Sequence, residues 1–328
     1  MTVPVSEIEA LVEAPTLAGG FTTIEGRSPG QIAWQRIKRD KTTMVALAMV
    51  VLILLLAIAA PILKAANLID PNTPHTDLVQ GIGSLPTGAF GGASAKHWLG
   101  VVPAVGTDVF SRIFLGITLD MSIALAATVL TVVIGVAAGL VSGFYGRWTD
   151  SVLGRLMDLI LAFPQLIMIL ALSPVLVGQP PNNTKVIIYL VCLLAVFGWP
   201  YLARIIRGEV FSLREREFVE AARSLGARNG RILWKELLPN LRAPILIYST
   251  IILPTYVSTE AAFAYLGLGL DPTTTPTLGS ILNDSVNYSQ SDPTYFFVPG
   301  ITLVLIVLSF NLLGDGLGDA LNPKADRF

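Results

Sequence analysis

Six stretches of this 328-residue chain are apolar over the length of a bilayer, and they bound everything else it can fold into. A helix needs about 20 mostly apolar residues to cross the hydrocarbon core. The candidates are 43–63, 114–141, 153–177, 185–206, 243–268 and 296–317. In lipid a helix satisfies its own backbone, so such runs predict an all-α integral membrane protein with six transmembrane helices. Pro164, Pro254 and Pro299 lie inside these runs. Membrane bundles tolerate them, because neighbouring helices re-satisfy the freed backbone groups. Composition agrees: 53% of residues are hydrophobic and 14% charged, against about 25% charged in a soluble domain.

Lysine and arginine orient the spans, because cytoplasmic segments retain positive charge. With the N-terminus inside, 18 of the 22 basic residues fall inside, and only Lys64, Lys96, Arg112 and Lys185 fall outside. Both termini are therefore predicted to be cytoplasmic. Glu7, Glu9, Glu13 and Glu25 stand where a signal peptide would carry basic residues, and the first apolar run comes late. Residues 1–40 read as a partly disordered cytoplasmic tail ending in the basic "WQRIKRDK" (34–41), and 41–328 as the six-span domain. Two long external loops follow, at about 64–112 and 269–295. The Gly-rich part of the first, "GIGSLPTGAFGGASAK", is expected to pack no core of its own. Long loops are often functional, so a docking surface for an external partner and plain solvated loops both stay open.

Several chemistries are absent. One cysteine, Cys192, allows no internal disulfide or cysteine metal cluster, and His75 and His97 are too few for a histidine metal site. There is no GxxxxGK[ST] phosphate loop, so no nucleotide cofactor is expected in this chain. Basic residues hug the membrane and form no groove-shaped patch, which argues against nucleic-acid binding.

The stretch that membrane insertion does not explain is "REREFVEAARSLGARNGRILWKELLPN", Arg214–Asn240, within a polar segment of about 207–242. Ser212 and Glu215 have capping-box spacing, so a helix is expected from about Leu213. Phe218, Ala221, Ala222 and Leu225 share one side, while Arg214, Arg216, Glu217, Glu220 and Arg223 cover the rest. Gly226 then ends the helix. A second helix is expected from about Asn229, with Ile232, Leu233 and Leu237 on one face. A helix lying on lipid headgroups would segregate Lys and Arg from bulky apolar residues. Here acidic and basic residues interleave, the apolar face is small and a turn is specified, so a protein-docking element fits better.

Polar residues at or near spans include Asp120, Asp158, Gln165, Glu260, Asn311 and Asp315. Such residues normally face protein or water, because a charge at mid-bilayer costs on the order of 2.5–3.5 kcal/mol. Asp120, Gln165 and Glu260 are candidates for a translocation path, and Asp158 and Asp315 for hydrogen bonding near helix ends. Gly135, Gly139 and Gly143 form a doubled GxxxG ridge for close helix packing, within the subunit or against a second one. "GLGD" (316–319) matches the short signature of intramembrane aspartyl proteases, but Asp319 ends the last span with no clear partner aspartate. A secondary transporter would show internal repeats and broken midplane helices. No clear repeat is present, and the 214–240 element would have no purpose.

Glu220-Ala221-Ala222, three residues, Gly226, eleven residues, then Leu238-Pro239 resembles the EAA loop of ABC importer permeases. The likeness runs serially over about 98–323. It takes in "GTDVFSRIFLG", "GLVSGFYGRWTDSVLGRLMDLILAFPQLIMIL", "EAAFAYLGLGLDPTTTPTLG" and "FNLLGDGLGDALNP", and is similar to the C-type permease of dipeptide and oligopeptide importers. The chain departs from that pattern on the external side, with Thr107 and Thr118 where arginine is common and Asp120 nearby. The resemblance implies a type I ABC importer fold with a cytoplasmic coupling helix carrying Arg216, Glu217, Phe218, Glu220, Ala221, Ala222, Leu225 and Gly226. It implies a homologous second permease subunit, an external substrate-binding protein and two P-loop ATPase subunits or one fused ATPase. ATP and Mg would be bound by those ATPases, in a bacterial inner membrane. It implies a non-catalytic subunit that imports peptide by alternating access. Nickel-import permeases are close relatives, so nickel or another small solute is the alternative cargo.

Overall fold

The computed structural model describes residues 29–81, 84–177 and 182–321. The expected disorder of the N-terminal tail falls mainly on residues 1–28, outside that set. The basic approach to the membrane is a helix, α1 (Pro29–Arg39). Its Ala33 and Ile37, one turn apart, pack against Ala320 near the end of the last helix. Asp40 then breaks the chain and caps the next helix, accepting from the backbone N–H of Thr42 (3.0 Å) and Thr43 (3.2 Å). An N-cap carboxylate satisfies amides that no helical carbonyl can reach.

The helices are α2 (Lys41–Ala65), α3 (Val109–Tyr145), α4 (Arg147–Ala162), α5 (Gln165–Val177), α6 (Asn183–Leu213), α7 (Glu217–Ser224), α8 (Arg242–Tyr265), α9 (Leu278–Ser285) and α10 (Pro293–Leu321). Among the described residues α2, α3, α6, α8 and α10 are each long and apolar enough to span a membrane unbroken. At 1.5 Å per residue, the 37 residues of α3 reach about 55 Å. They overshoot a core of about 30 Å.

The third expected span is not continuous. It breaks between α4 and α5 with a bend of 72°. Phe163 is extended (φ −86°, ψ 127°), as the residue before a proline tends to be, and Pro164 lacks the N–H that would continue the ladder. Counted as one bent span, the pair brings the described residues to six spans; left out, it leaves five. Pro254 and Pro299, by contrast, lie inside unbroken α8 and α10.

The centre of the bundle is α3 against α6. A Cβ added at Gly139 would lie 2.7 Å from the Ala203 carbonyl oxygen and the Ile206 Cβ. One at Gly143 would lie 2.8 Å from the Val210 Cβ, and one at Gly135 3.1 Å from the Leu202 Cβ. The glycine ridge thus seats α6 inside the same chain. Tyr256 of α8 ties the helices at one buried point. Its hydroxyl meets Thr131 Oγ1 of α3 (2.7 Å) and donates to the Leu194 carbonyl of α6 (3.1 Å). That network is satisfied within the protein, as buried polar groups must be.

Neither long loop is a plain solvated coil. In the first, a two-residue hairpin pairs β1 (Val79–Gln80) with β2 (Leu85–Pro86), and Val101 and Val102 are buried. The Gly-rich stretch packs through close backbone approach, with the Asp292 carboxylate set against Gly91, which has φ +68°. The second loop folds into α9, whose Leu278 and Ile281 are fully buried. Arg112 of α3 donates from Nη2 to the Pro272 carbonyl (2.9 Å), fixing the start of that loop.

Candidate coupling element

The segment after α6 is built on a frame of arginines around one aromatic ring. Phe211 lies under the guanidinium groups of Arg207 (5.0 Å) and Arg214 (4.7 Å). Arg207 grips Asp150 of α4 with Nε and with Nη2 (2.7 Å), and Ser142 of α3 donates to the same carboxylate (2.6 Å). Arg214 Nη1 donates to the Gly143 carbonyl at 2.9 Å. The ends of α3, α4 and α6 are thus fastened together, and α7 starts from that fixed point.

The expected capping box does not form. Helix α6 continues through Ser212 to Leu213, a short turn follows, and α7 starts at Glu217, with extended Arg216 as an N-cap that makes no side-chain cap bond. The cause is packing: Val210 is fully buried against the glycine ridge and Leu213 is half-buried against the core, which holds α6 helical past the local signal. Glu215 lies 3.7 Å from Arg214 instead of capping.

Helix α7 is anchored by one residue that sequence reading passed over. Val219 is fully buried, and Arg223 lies over the Phe144 ring at 5.7 Å. Val219 and Ala222 stand three apart, so the helical period could have exposed a second apolar face. With Val219 turned inward and Ala222 half-buried, Glu217, Phe218, Glu220, Ala221 and Leu225 face out. Leu225 is 89% exposed. Glu217 and Glu220 stand in the first turn and Arg223 in the last, each complementing the helix dipole.

The turn after α7 is fully bonded. Gly226 has φ +79°. Its N–H donates to the Arg223 carbonyl (2.9 Å), and the Ala227 N–H donates to the Ala222 carbonyl (3.0 Å). These are the two bonds of a Schellman ending, which requires a left-handed residue between them. The second helical segment begins at Asn229, as expected, and runs to Asn240 with a π-helical turn at Ile232–Leu237. Ile232 and Leu237 are fully buried and Leu233 nearly so. Between the two arms lies a cleft of about 410 Å³, lined by Ala222, Leu225, Gly226, Arg228, Arg231 and Glu236 among others. The element is a rigid elbow that shows a small apolar and acidic face to solvent.

Of the three candidate path residues, the structure brings two together. Asp120 of α3 and Glu260 of α8 both lie at the start of α9 and are fully enclosed by protein. Gln165 is elsewhere, half-buried at the break between α4 and α5. Asp158 pairs with Arg204 on the surface, and Asp315 and Asp319 are exposed near the end of α10.

Residues 135–327 match the family model described as the inner membrane component of binding-protein-dependent transport systems, more than half of the chain. The chain belongs to that family. Residues 28–78 also match the N-terminal TM domain of oligopeptide transport permease C. The dipeptide transport system permease DppC of Alkalihalophilus pseudofirmus is 35% identical over 90% of this chain and 90% of its own. The oligopeptide permease OppC of Bacillus subtilis is 34% identical over 89% of this chain and 88% of its own. An inward-facing MetNI methionine ABC transporter chain aligns with TM-score 0.50 at 22% identity, covering 65% of this chain and 97% of that one. That likeness concerns the fold: an all-α, multi-pass ABC importer permease. As a member of the family, the chain is a non-catalytic membrane subunit that works with ATPase and substrate-binding subunits.

Proposed function

We propose that this chain is the C-type permease of an importer that moves dipeptides or oligopeptides into the cytoplasm. Peptide as cargo rests on the relatives at 34–35% identity that carry dipeptide and oligopeptide permease names. The coupling reading is carried by one observation: a bonded, anchored helix α7 that leaves Phe218, Ala221 and Leu225 facing solvent.

In this reading the partner ATPases, two chains or one fused, seat α7 in a groove and hold the ATP and Mg. Arg216, Glu217 and Glu220 flank the contact, Ala221 lets the partner approach, and Gly226 sets the elbow. ATP binding and hydrolysis move α7, and the arginine frame passes that motion to α3, α4 and α6 as a rigid body. A homologous second permease completes the path, with Asp120, Gln165 and Glu260 as the candidate path residues. The folded loops 64–112 and 269–295 receive the external binding protein. Both termini lie in the cytoplasm of a bacterial cell bounded by this inner membrane. Residues 1–40 form a cytoplasmic tail and 41–328 the permease domain.

The test is mild extraction of the intact complex, reconstitution into lipid vesicles and transport of labelled di- to pentapeptides. ATP-dependent peptide uptake that requires the co-purified binding protein is expected. Uptake of a metal ion or other small solute in place of peptide overturns the cargo assignment. Isolation of the chain with no ATPase overturns the coupling reading.

A further inference from the structure

Two buried carboxyl groups meet in this protein with no basic side chain paired to either among the described residues. Asp120 of α3 and Glu260 of α8 are 140 positions apart in sequence, yet both stand at the start of α9: Asp120 bonds the Leu278 amide, and Ala261, next to Glu260, backs Gly279. Asp120 is 0% exposed and Glu260 1%. Asp120 Oδ2 accepts the Leu278 N–H at the start of α9 (3.2 Å). Asp120 Oδ1 and both Glu260 carboxylate oxygens have no hydrogen-bond donor among the described residues, although the Thr277 side chain lies beside Glu260.

The surroundings offer no base. Among the described residues no basic side chain forms an ion pair with either carboxyl. Arg112, two turns earlier on α3, donates to Pro272 and faces Asp284 of α9 and Tyr295 of α10. Tyr256, one turn before Glu260 on α8, is engaged with Thr131 and Leu194. Two ionised carboxylates cannot stay in contact where water is excluded, since burial makes their repulsion severe. A carboxyl–carboxyl hydrogen bond needs one proton between the two groups.

The place of the pair gives that proton a consequence. The start of α9 is wedged into the bundle beside it. A Cβ on Gly116 would lie 3.2 Å from the Leu278 amide nitrogen, and Gly279 sits directly on the Ala261 backbone. We propose that Asp120 and Glu260 together bind a single proton, and that the shared proton latches α9 to α3 and α8. With the proton in place, one carboxyl donates to the other and Asp120 still accepts from Leu278. Without it, like charges force α3 and α8 apart at the point where α9 enters. The proton belongs to the pair and to neither residue alone. The proposal does not depend on which solute is carried.

Infrared spectroscopy of the assembled transporter in lipid tests this. A carbonyl stretch of a protonated, non-exchanging carboxylic acid is expected at neutral pH, absent in Asp120→Asn and in Glu260→Gln. The wild-type spectrum alone decides if either variant fails to fold: no protonated carboxyl band overturns the proposal. A bond made by a proton is lost as alkali removes it. Thermal unfolding midpoints of the wild-type complex should therefore fall as pH is raised from mildly acidic to alkaline, and Glu260→Gln should flatten that slope. A wild-type midpoint that instead rises with added sodium or potassium chloride at fixed alkaline pH means that a metal cation fills the site, and overturns it.

Discussion

At the scale of the residue, two glycines do opposite work. Gly226 stands in open space, with nothing within 4 Å of the position a Cβ would take. Its φ of +79° is the whole reason for its identity. Gly226→Val should leave the protein inserted and assembled but tilt the elbow, at a cost of roughly 1–2 kcal/mol or more for a non-glycine left-handed residue. ATP hydrolysis that continues without peptide uptake is the expected outcome, and normal uptake would remove the turn from the coupling path. Gly139 has an ordinary conformation but no room, so Gly139→Leu should drive α3 from α6 and abolish folded protein. Size-exclusion profiles in detergent separate the two cases. Val219 is the anchor beneath α7. Removing its two methyl groups in Val219→Ala should cost about 1.6 kcal/mol, at about 0.8 per buried carbon. The readout is faster proteolysis or amide exchange in 217–226, with the spans unaffected.

At the scale of the element, α7 is rigid because each end is fixed by something else. The arginine frame holds its start, the Schellman bonds close its end, and the buried Ile232 and Leu237 hold the next arm. Its outer face is free to change without disturbing the fold. Glu220→Lys should therefore give normal yields and normal spans, yet weaken co-purification of the ATPase. Unchanged recovery of the ATPase would take Glu220 out of the contact. The turn at Gly226 and the second arm from Asn229 were legible in the sequence, since left-handed glycine and apolar spacing are local signals. The start of α7 was not. Ser212 and Glu215 carry a genuine capping pattern, but packing of Val210 and Leu213 at the end of α6 overrides it. The break at Pro164 was underestimated for a related reason. The sequence of a proline does not say whether neighbours will support the helix around it, and α8 and α10 absorb theirs while α4 and α5 do not. Helix α9 was hidden in a stretch rich in Pro, Thr and Ser, although Thr277 and Ser280 make a reciprocal cap there.

At the scale of the whole molecule, apolar length alone specified the membrane class, and the serial motifs specified the family. The juxtaposition of Asp120 and Glu260 was not readable, because it depends on how α3 and α8 meet and neither residue marks the other. The orientation proposed from the basic residues makes a direct prediction. In a Cys192→Ser background, Gln290→Cys in the external loop should react with a membrane-impermeant maleimide in intact cells. Glu220→Cys should react only after the membrane is opened. The reverse pattern would invert the topology.

The central claim is that α7 is where the ATPase meets this subunit. Ala221→Cys in the Cys192→Ser background, with a short bifunctional cross-linker applied to the assembled transporter, tests it most directly. A covalent adduct between this chain and the ATPase is expected from position 221, and none from Ser94→Cys in the opposite loop. An intact complex with its ATPase bound and no adduct from position 221 would contradict it.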